Sequence, residues 1–282
     1  MEIFQYKDHR EIFRENKKGE VLYLTFPLLE DTNVVRHGFS TRIGGVSQGI
    51  YGSMNLSFQR GDDENAVREN FRRIAAAIGV KEEEITFSKQ THTANVREVC
   101  LEDRGKGITK HLDYDDVDGL VTNVPGICLA TFYADCVPLF FVDPKKRAIG
   151  LSHSGWRGTV GKIGKRTVEK MAELYGSRPE DIYAAVGPSI CQDCYEVTGD
   201  VIEEFQKNFR EEYWKDLFYK KENGRYQLNL WKANEFVMRE AGILKEHLAV
   251  TNLCTCCNPD LLFSHRASHG KRGNLGAFLQ LK

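Results

Sequence analysis

The chain has 282 residues, 41% hydrophobic and 28% charged, and 39 Lys+Arg stand against 40 Asp+Glu for a formal net charge of -1. That balance describes a globular protein with enough apolar residues for a full core, and it lacks the basic excess typical of nucleic-acid binders. No apolar run approaches the roughly 20 residues of a membrane span, and the charged start MEIFQYKDHREIFRENKKGE has no secretory apolar core, so a cytoplasmic protein without membrane partners is expected.

In chain order, VLYLTFP (21–27) and VVRHGFST (34–41) read as strands, the second running into Arg42-Ile43-Gly44-Gly45. The glycine pair marks a tight turn or a close backbone approach to a ligand. Asp62 or Asp63 can cap a helix with Ala66, Val67, Phe71, Ile74, Ala75 and Ile78 on its apolar face and Gly79 just past its end. The segment 85–99 is strand-like and contains Gln90 and His92. An acidic stretch, 102–118, reads as a long surface connection. Its DYDDVDG is out of register for a calcium loop, with Val117 where a ligand should be and Gly119 one place late, which leaves a solvated turn.

Two apolar runs, 126–142 and 148–151, read as buried strands. The first carries Ala134-Asp135-Cys136 in mid-run, and the second ends on Ser152-His153 and opens into Ser154-Gly155-Trp156-Arg157-Gly158. Val160, Ile163, Thr167, Val168, Met171, Leu174 and Tyr175 recur at helical spacing, with Thr159 as cap and Gly176 as stop. A strand at 181–190 and helices at 198–209 and 229–241 follow, and the end alternates short strands (HLAVTNLCTC, LLFSH, AFLQL) with Gly turns such as GKRGN. No repeat or linker forces a boundary, so residues 1–282 are expected to form one domain of α+β (mixed α/β) class.

His92, Cys136 and His153 stand out chemically. Two imidazoles and one thiolate satisfy three tetrahedral positions of zinc and leave the fourth for water or substrate, the pattern of a catalytic ion. The same set can hold copper, although the four methionines lie outside these strands. A helix starting beside His153, together with Arg157, offers an anion-binding corner. Against that stands the plainer reading in which Trp156 packs and Arg157 pairs with a carboxylate. His37, His265 and Arg266 sit at strand ends, where they can line a pocket or serve as turn residues. Eight cysteines in a cytoplasmic chain argue for thiols over disulfides. Cys191-x-x-Cys194 with Cys254-x-Cys256-Cys257 offers a rival, structural Cys₄ zinc, and buried thiols are the alternative there. Phosphate-loop, H-E-x-x-H, G-x-S-x-G and zinc-deaminase signatures are absent.

HGFSTRIGGVS (37–47), KQTHTANV (89–96), DGLVTNVPGICLATFYADCVPLFFVDP (118–144), GLSHSGWRGTV (150–160), GPSICQDCYEV (187–197) and NLCTCCNPDLLFSHR (252–266) resemble successive motifs of the family long labelled YfiH or multicopper polyphenol oxidase (laccase). The resemblance covers nearly the whole chain in order. It implies a layered α-β-β-α sandwich and a metal held by His92, Cys136 and His153. It also implies a zinc purine nucleoside phosphorylase, acting on adenosine, inosine and methylthioadenosine, with adenosine deaminase activity. On this reading Asp135, Arg157 and His37 are the catalytic candidates, and Arg42, Gln90 and Arg157 contact substrate or phosphate. The partners are a small-molecule nucleoside and phosphate, in a monomer or small homo-oligomer. Alternatives are a copper-dependent polyphenol oxidase and a factor that edits peptidoglycan precursors. Two departures from the commoner pattern are Ser154 in place of Ala, and Cys191-Gln192-Asp193 in place of Gly-Pro-Cys, which bears on a pocket wall.

Overall fold

The computed structural model describes residues 3–282. Two six-stranded sheets pack face to face. The first runs, in spatial order, Arg14–Lys18, Val21–Thr25, Val35–Ser40, Leu275–Leu281, Cys128–Tyr133 and Ile85–Phe87. The second runs Leu248–Val250, Tyr183–Val186, Val137–Asp143, Ala148–Ser154, Gly119–Thr122 and Val96–Glu98, and a small third sheet joins Glu196–Val197, Tyr226–Leu228 and Phe218–Lys220.

Alternation of side chains explains the layering. Along Val137–Asp143 every residue is buried, and successive residues serve opposite faces. Phe140 and Val142 meet Leu24, Phe26, Leu129 and Leu279 between the sheets. Leu139 and Phe141 instead join Val168, Met171, Ile202, Phe205 and Val237 under the helices Ile163–Tyr175, Gly199–Asn208 and Leu230–Glu240. A strand covered on both sides reads as an unbroken apolar run. On the outer face of the first sheet, the helix Glu64–Ile78 inserts Val67, Phe71, Ile74 and Ile78 against Met54, Ile85, Ala130 and Phe278. The result is helix, sheet, sheet, helix, the sandwich anticipated above. Asp63 caps the Glu64–Ile78 helix by accepting from the Asn65 N–H, and Gly79 ends it at φ 84°. No described helix is long and apolar enough to cross a membrane.

Three expected elements divide. The run 126–142 forms two strands, Cys128–Tyr133 and Val137–Asp143, which lie in different sheets, so Ala134-Asp135-Cys136 is a crossing and not mid-strand. The segment 85–99 behaves alike: Ile85–Phe87 belongs to the first sheet, Val96–Glu98 to the second, and Gln90 and His92 lie on the crossing. The helix after His153 is two, Trp156–Val160 and Ile163–Tyr175, separated at Lys162 with φ 58°. The expected LLFSH strand is turn structure, while Arg14–Lys18 forms an unanticipated edge strand.

Candidate metal centre

Both crossings open at one end of the sandwich, and that places the centre. Cys136 is the last residue before the Val137–Asp143 strand, whose Pro138 pairs with His153 on the antiparallel neighbour. His92 comes across from the other crossing. Its Nε2 lies 3.9 Å from the Cys136 Sγ, and its ring meets that of His153 edge-on at 4.9 Å. The three ligand atoms all lie within 4.8 Å of one another. Bond lengths of about 2.0–2.3 Å to a tetrahedral zinc would set ligand atoms roughly 3.5 Å apart, so a small contraction suffices for these donors to grip one ion.

Asp118 organises two of the three ligands, and sequence reasoning missed it. Its carboxylate is wholly buried at the start of Gly119–Thr122. It accepts from the Thr91, His92 and Thr93 N–H groups at 2.9, 3.1 and 3.0 Å, and from His153 Nδ1 at 2.8 Å. A carboxylate can only accept here, so Nδ1 of His153 carries a proton, and Nε2 becomes a lone-pair donor once a metal displaces the proton it holds beside the Cys136 thiolate. The same carboxylate braces His92, whose φ of 68° is unusual for a residue other than glycine. Burial pushes the Asp118 carboxyl up, but the His153 hydrogen bond and charge, helped by the backbone N–H groups, hold it below its ordinary range. The thiol follows the same logic: burial would raise Cys136, and the two imidazoles, His153 foremost, overcome this and hold it down at about 6. Gly155 keeps the floor open, since a Cβ there would lie 3.0 Å from the His92 ring and 3.2 Å from Cys136 Sγ.

The three ligands border a cavity of about 740 Å³, within the range of small-molecule sites. One wall is apolar, with Phe58, Ile108, Leu112 and Phe132; the rim is mostly basic, with Arg60, Lys89, Lys110 and Arg68, the last paired with Glu64 at 2.7 Å, and Arg272 lies deeper in the lining. Arg272 is itself only 8% exposed and its Nε is buried without a partner. Burial, and next the charge of Arg60, push its guanidinium down to about 10, still cationic at neutral pH. In the sequence this residue reads only as part of a Gly turn, GKRGN.

Other expected site residues lie elsewhere. His37 is in the core between the sheets: its Nε2 accepts from the Phe26 N–H at 2.8 Å, and its ring stacks with Phe26 and meets Phe140 edge-on. Burial holds it down at about 3, so it is a neutral structural acceptor and no acid or base. Arg42 donates to the carbonyls of Gly52 and Pro259 and covers the Phe263 ring, so it ties loops together away from the cavity lining. Gly44 and Gly45 serve the same packing. A Cβ on either would strike the backbone of Glu20 or Ser53, which makes the close approach one to the chain itself and not to a ligand.

Arg157 is exposed with its guanidinium 4.3 Å above the Trp156 ring, not on the cavity rim. Gln90 reaches the lining, but its amide is committed: Nε2 donates to the Phe132 carbonyl at 2.7 Å and Oε1 accepts from the Phe132 N–H at 2.7 Å. It pins its own crossing to the strand Cys128–Tyr133. Asp135, at φ 89°, accepts from Thr255 Oγ1 and from the Arg266 N–H, each at 2.7 Å, so it too positions the crossing. Arg266 points its guanidinium at the carbonyls of Cys194 and Glu196. The DYDDVDG turn is solvated at Asp113, Asp115 and Asp116 but buried from Val117 to Gly119, and the exposed Asp116 accepts from Thr91 and Asn95 beside His92. Ser154 fits without loss, its hydroxyl 2.9 Å from Asn234 Oδ1. Cys191-Gln192-Asp193 lies outside the cavity lining, so that departure alters no wall of it.

Comparison with known proteins follows the same lines. Residues 36–282 match the family model described as multi-copper polyphenol oxidoreductase laccase. The chain is 38% identical over 247 residues to the purine nucleoside phosphorylase YlmD of Bacillus subtilis, covering 87% of this chain and 88% of that protein. It is 35% identical over 232 residues to the adenosine deaminase RL5 of an unknown prokaryotic organism, covering 81% and 87% respectively. The crystal structure of YlmD from Geobacillus stearothermophilus matches with a TM-score of 0.89 at 33% identity, covering 97% of this chain and 100% of that one.

Proposed function

The chain belongs to the multi-copper polyphenol oxidoreductase laccase family, and on that footing we propose that it is a cytoplasmic, zinc-dependent purine nucleoside phosphorylase that also deaminates adenosine. The observation that carries this reading is the convergence of His92, Cys136 and His153 beside a cavity with one apolar wall and a cationic rim. A flat base and a sugar suit the wall of Phe58, Ile108, Leu112 and Phe132, and a phosphate dianion suits Arg272 and its basic neighbours.

In phosphorolysis a phosphate oxygen bonds to C1′ of the ribose while the bond from C1′ to N9 breaks, and its electron pair leaves with the purine, which takes up a proton. Arg272 and Arg60 hold the nucleophile at the sugar, and the bound dianion stabilises the cationic ribose as it forms. In deamination water adds at C6 of adenine and ammonia departs. Held at the position where His92, Cys136 and His153 converge, a divalent ion would supply Lewis acidity and lower the pKa of water. Asp118 keeps His153 in the tautomer that faces this position, and Gln90 and Asp135 fix the two crossings that deliver His92 and Cys136.

The test is incubation with adenosine or inosine, with and without phosphate, followed by product identification. Free base and ribose 1-phosphate should form only with phosphate, and inosine should form from adenosine without it. Absence of both conversions in zinc-loaded protein overturns the proposal, and copper-dependent oxidation of phenols in their place would favour the older family label.

A further inference from the structure

Four thiols outside the cavity lining have no part in this chemistry. Cys191-x-x-Cys194 follows the Tyr183–Val186 strand, and Cys254-x-x-Cys257 follows Leu248–Val250. These strands are parallel neighbours, so their loops leave the sheet side by side at the same end. The loops are already joined through the backbone. Ser189 donates to the Leu253 carbonyl at 3.4 Å, Thr255 donates to the Ser189 carbonyl at 3.2 Å, and the Cys191 N–H points at Cys254 Sγ at 3.2 Å.

The four Sγ atoms all lie within 4.8 Å of one another, with Cys194 and Cys257 at 3.6 Å. Zinc–sulfur bonds of about 2.3 Å place tetrahedral sulfurs roughly 3.8 Å apart, which this group nearly satisfies as it stands. All four are free thiols, and Cys256, inside the second pair, falls outside the group. We propose that Cys191, Cys194, Cys254 and Cys257 form a second, closed metal site that binds one zinc ion through four thiolates. Two C-x-x-C pairs are the usual way to build such a site, and an all-sulfur tetrahedron selects zinc over harder divalent cations. A four-iron cluster would have to drive these sulfurs well apart. Lys7, paired with Asp193 at 3.0 Å, lies beside the group and offsets part of the negative charge of a tetrathiolate zinc.

The site is structural, and its reach extends to the cavity. Thr255, between two of its ligands, donates to Asp135, the residue before Cys136. Zinc here therefore fixes the loop that holds one crossing in place.

The experiment is elemental analysis of protein purified anaerobically with zinc in the medium, together with zinc-edge X-ray absorption. Wild type should hold two zinc ions per chain. Cys136→Ala should hold one, with a first shell of four sulfurs at about 2.3 Å. Cys194→Ser with Cys257→Ser should also hold one, now in a nitrogen–sulfur shell. Where those serine variants do not fold, the Cys136→Ala spectrum decides alone, and His92→Ala replaces it if Cys136→Ala is insoluble. A folded Cys136→Ala or His92→Ala protein without zinc, a shell poor in sulfur, iron with inorganic sulfide, or a Cys194–Cys257 disulfide would each overturn the proposal. The three-ligand centre can fail independently in the same measurement, since its loss removes the nitrogen–sulfur shell and leaves the all-sulfur one.

Discussion

Replacing Asp118 by Asn keeps the shape of the side chain and removes one of its two acceptors. Oδ2 serves the N–H groups of Thr91 and Thr93, and Oδ1 serves the N–H of His92 and Nδ1 of His153. Whichever side receives the amide NH₂, two donors face a donor in a fully buried place. At about 1–3 kcal/mol for each stranded group the damage is roughly 2–6 kcal/mol, divided between folding and ligand alignment. Loss of such an outer-shell carboxylate alone lowers metal affinity by about 10–100-fold. Asp118→Asn should therefore weaken zinc binding by at least about tenfold in a chelator competition, and lower the denaturation free energy of the metal-free protein by about 2 kcal/mol or more. The sign of the acid response follows too. With its folded pKa below the unfolded value near 3.8, Asp118 stabilises the protein above that pH and loses this contribution as pH falls through the folded pKa, so the variant should lack that loss. An Asp118→Asn protein matching its parent in denaturation midpoint and in zinc affinity would refute the account of the site's scaffold.

Other outcomes follow from the same geometry. His37, buried and held at about 3 against 6.5 when unfolded, binds its proton only in the unfolded state between those values. It therefore contributes stability above about pH 6.5 that is lost as pH falls toward 3, up to roughly 5 kcal/mol, and denaturation of His37→Gln across this window should show a flatter profile. In the proposed phosphorolysis, Arg272→Gln should raise the KM for phosphate by roughly 10–100-fold, as expected for a lost charge-assisted contact, while Arg157→Ala changes it by less than about twofold; steady-state kinetics with varied phosphate separates the two. Gly155→Ala, whose new methyl meets His92 and Cys136, should cost about 1–3 kcal/mol in metal affinity by isothermal titration, with a near-native circular dichroism spectrum.

The layered fold is legible in the sequence because its central strands are buried on both faces and its helices carry clear stripes and caps, as Asp63 and Gly79 show. The places where the chain changes sheet are not. Tyr133 and Val137 stand in one apolar run, and only the left-handed turn at Asp135 separates their strands. Ligand type and motif single out the three donors, whereas the residues around them depend on which end of a strand faces the cavity. His37 lies in mid-strand, in Val35–Ser40, on a face turned to the core, and Arg42 lies just past that strand's end among loops. Asp118 is hidden among Asp113, Asp115 and Asp116, since composition does not tell the one buried carboxylate from its wetter neighbours. Arg272 is masked in the same way by flanking glycines.

That His92 and Cys136 ride on separate passages from one sheet to the other has a mechanical consequence. An ion gripped by both ties the ends of the two passages and works as a rivet through the sandwich, so its affinity and the mutual fit of the layers are linked quantities. Trimming Phe140, deep between the sheets, should then be felt at the rivet as looser metal, and filling the centre should in turn quiet the motion of one layer over the other.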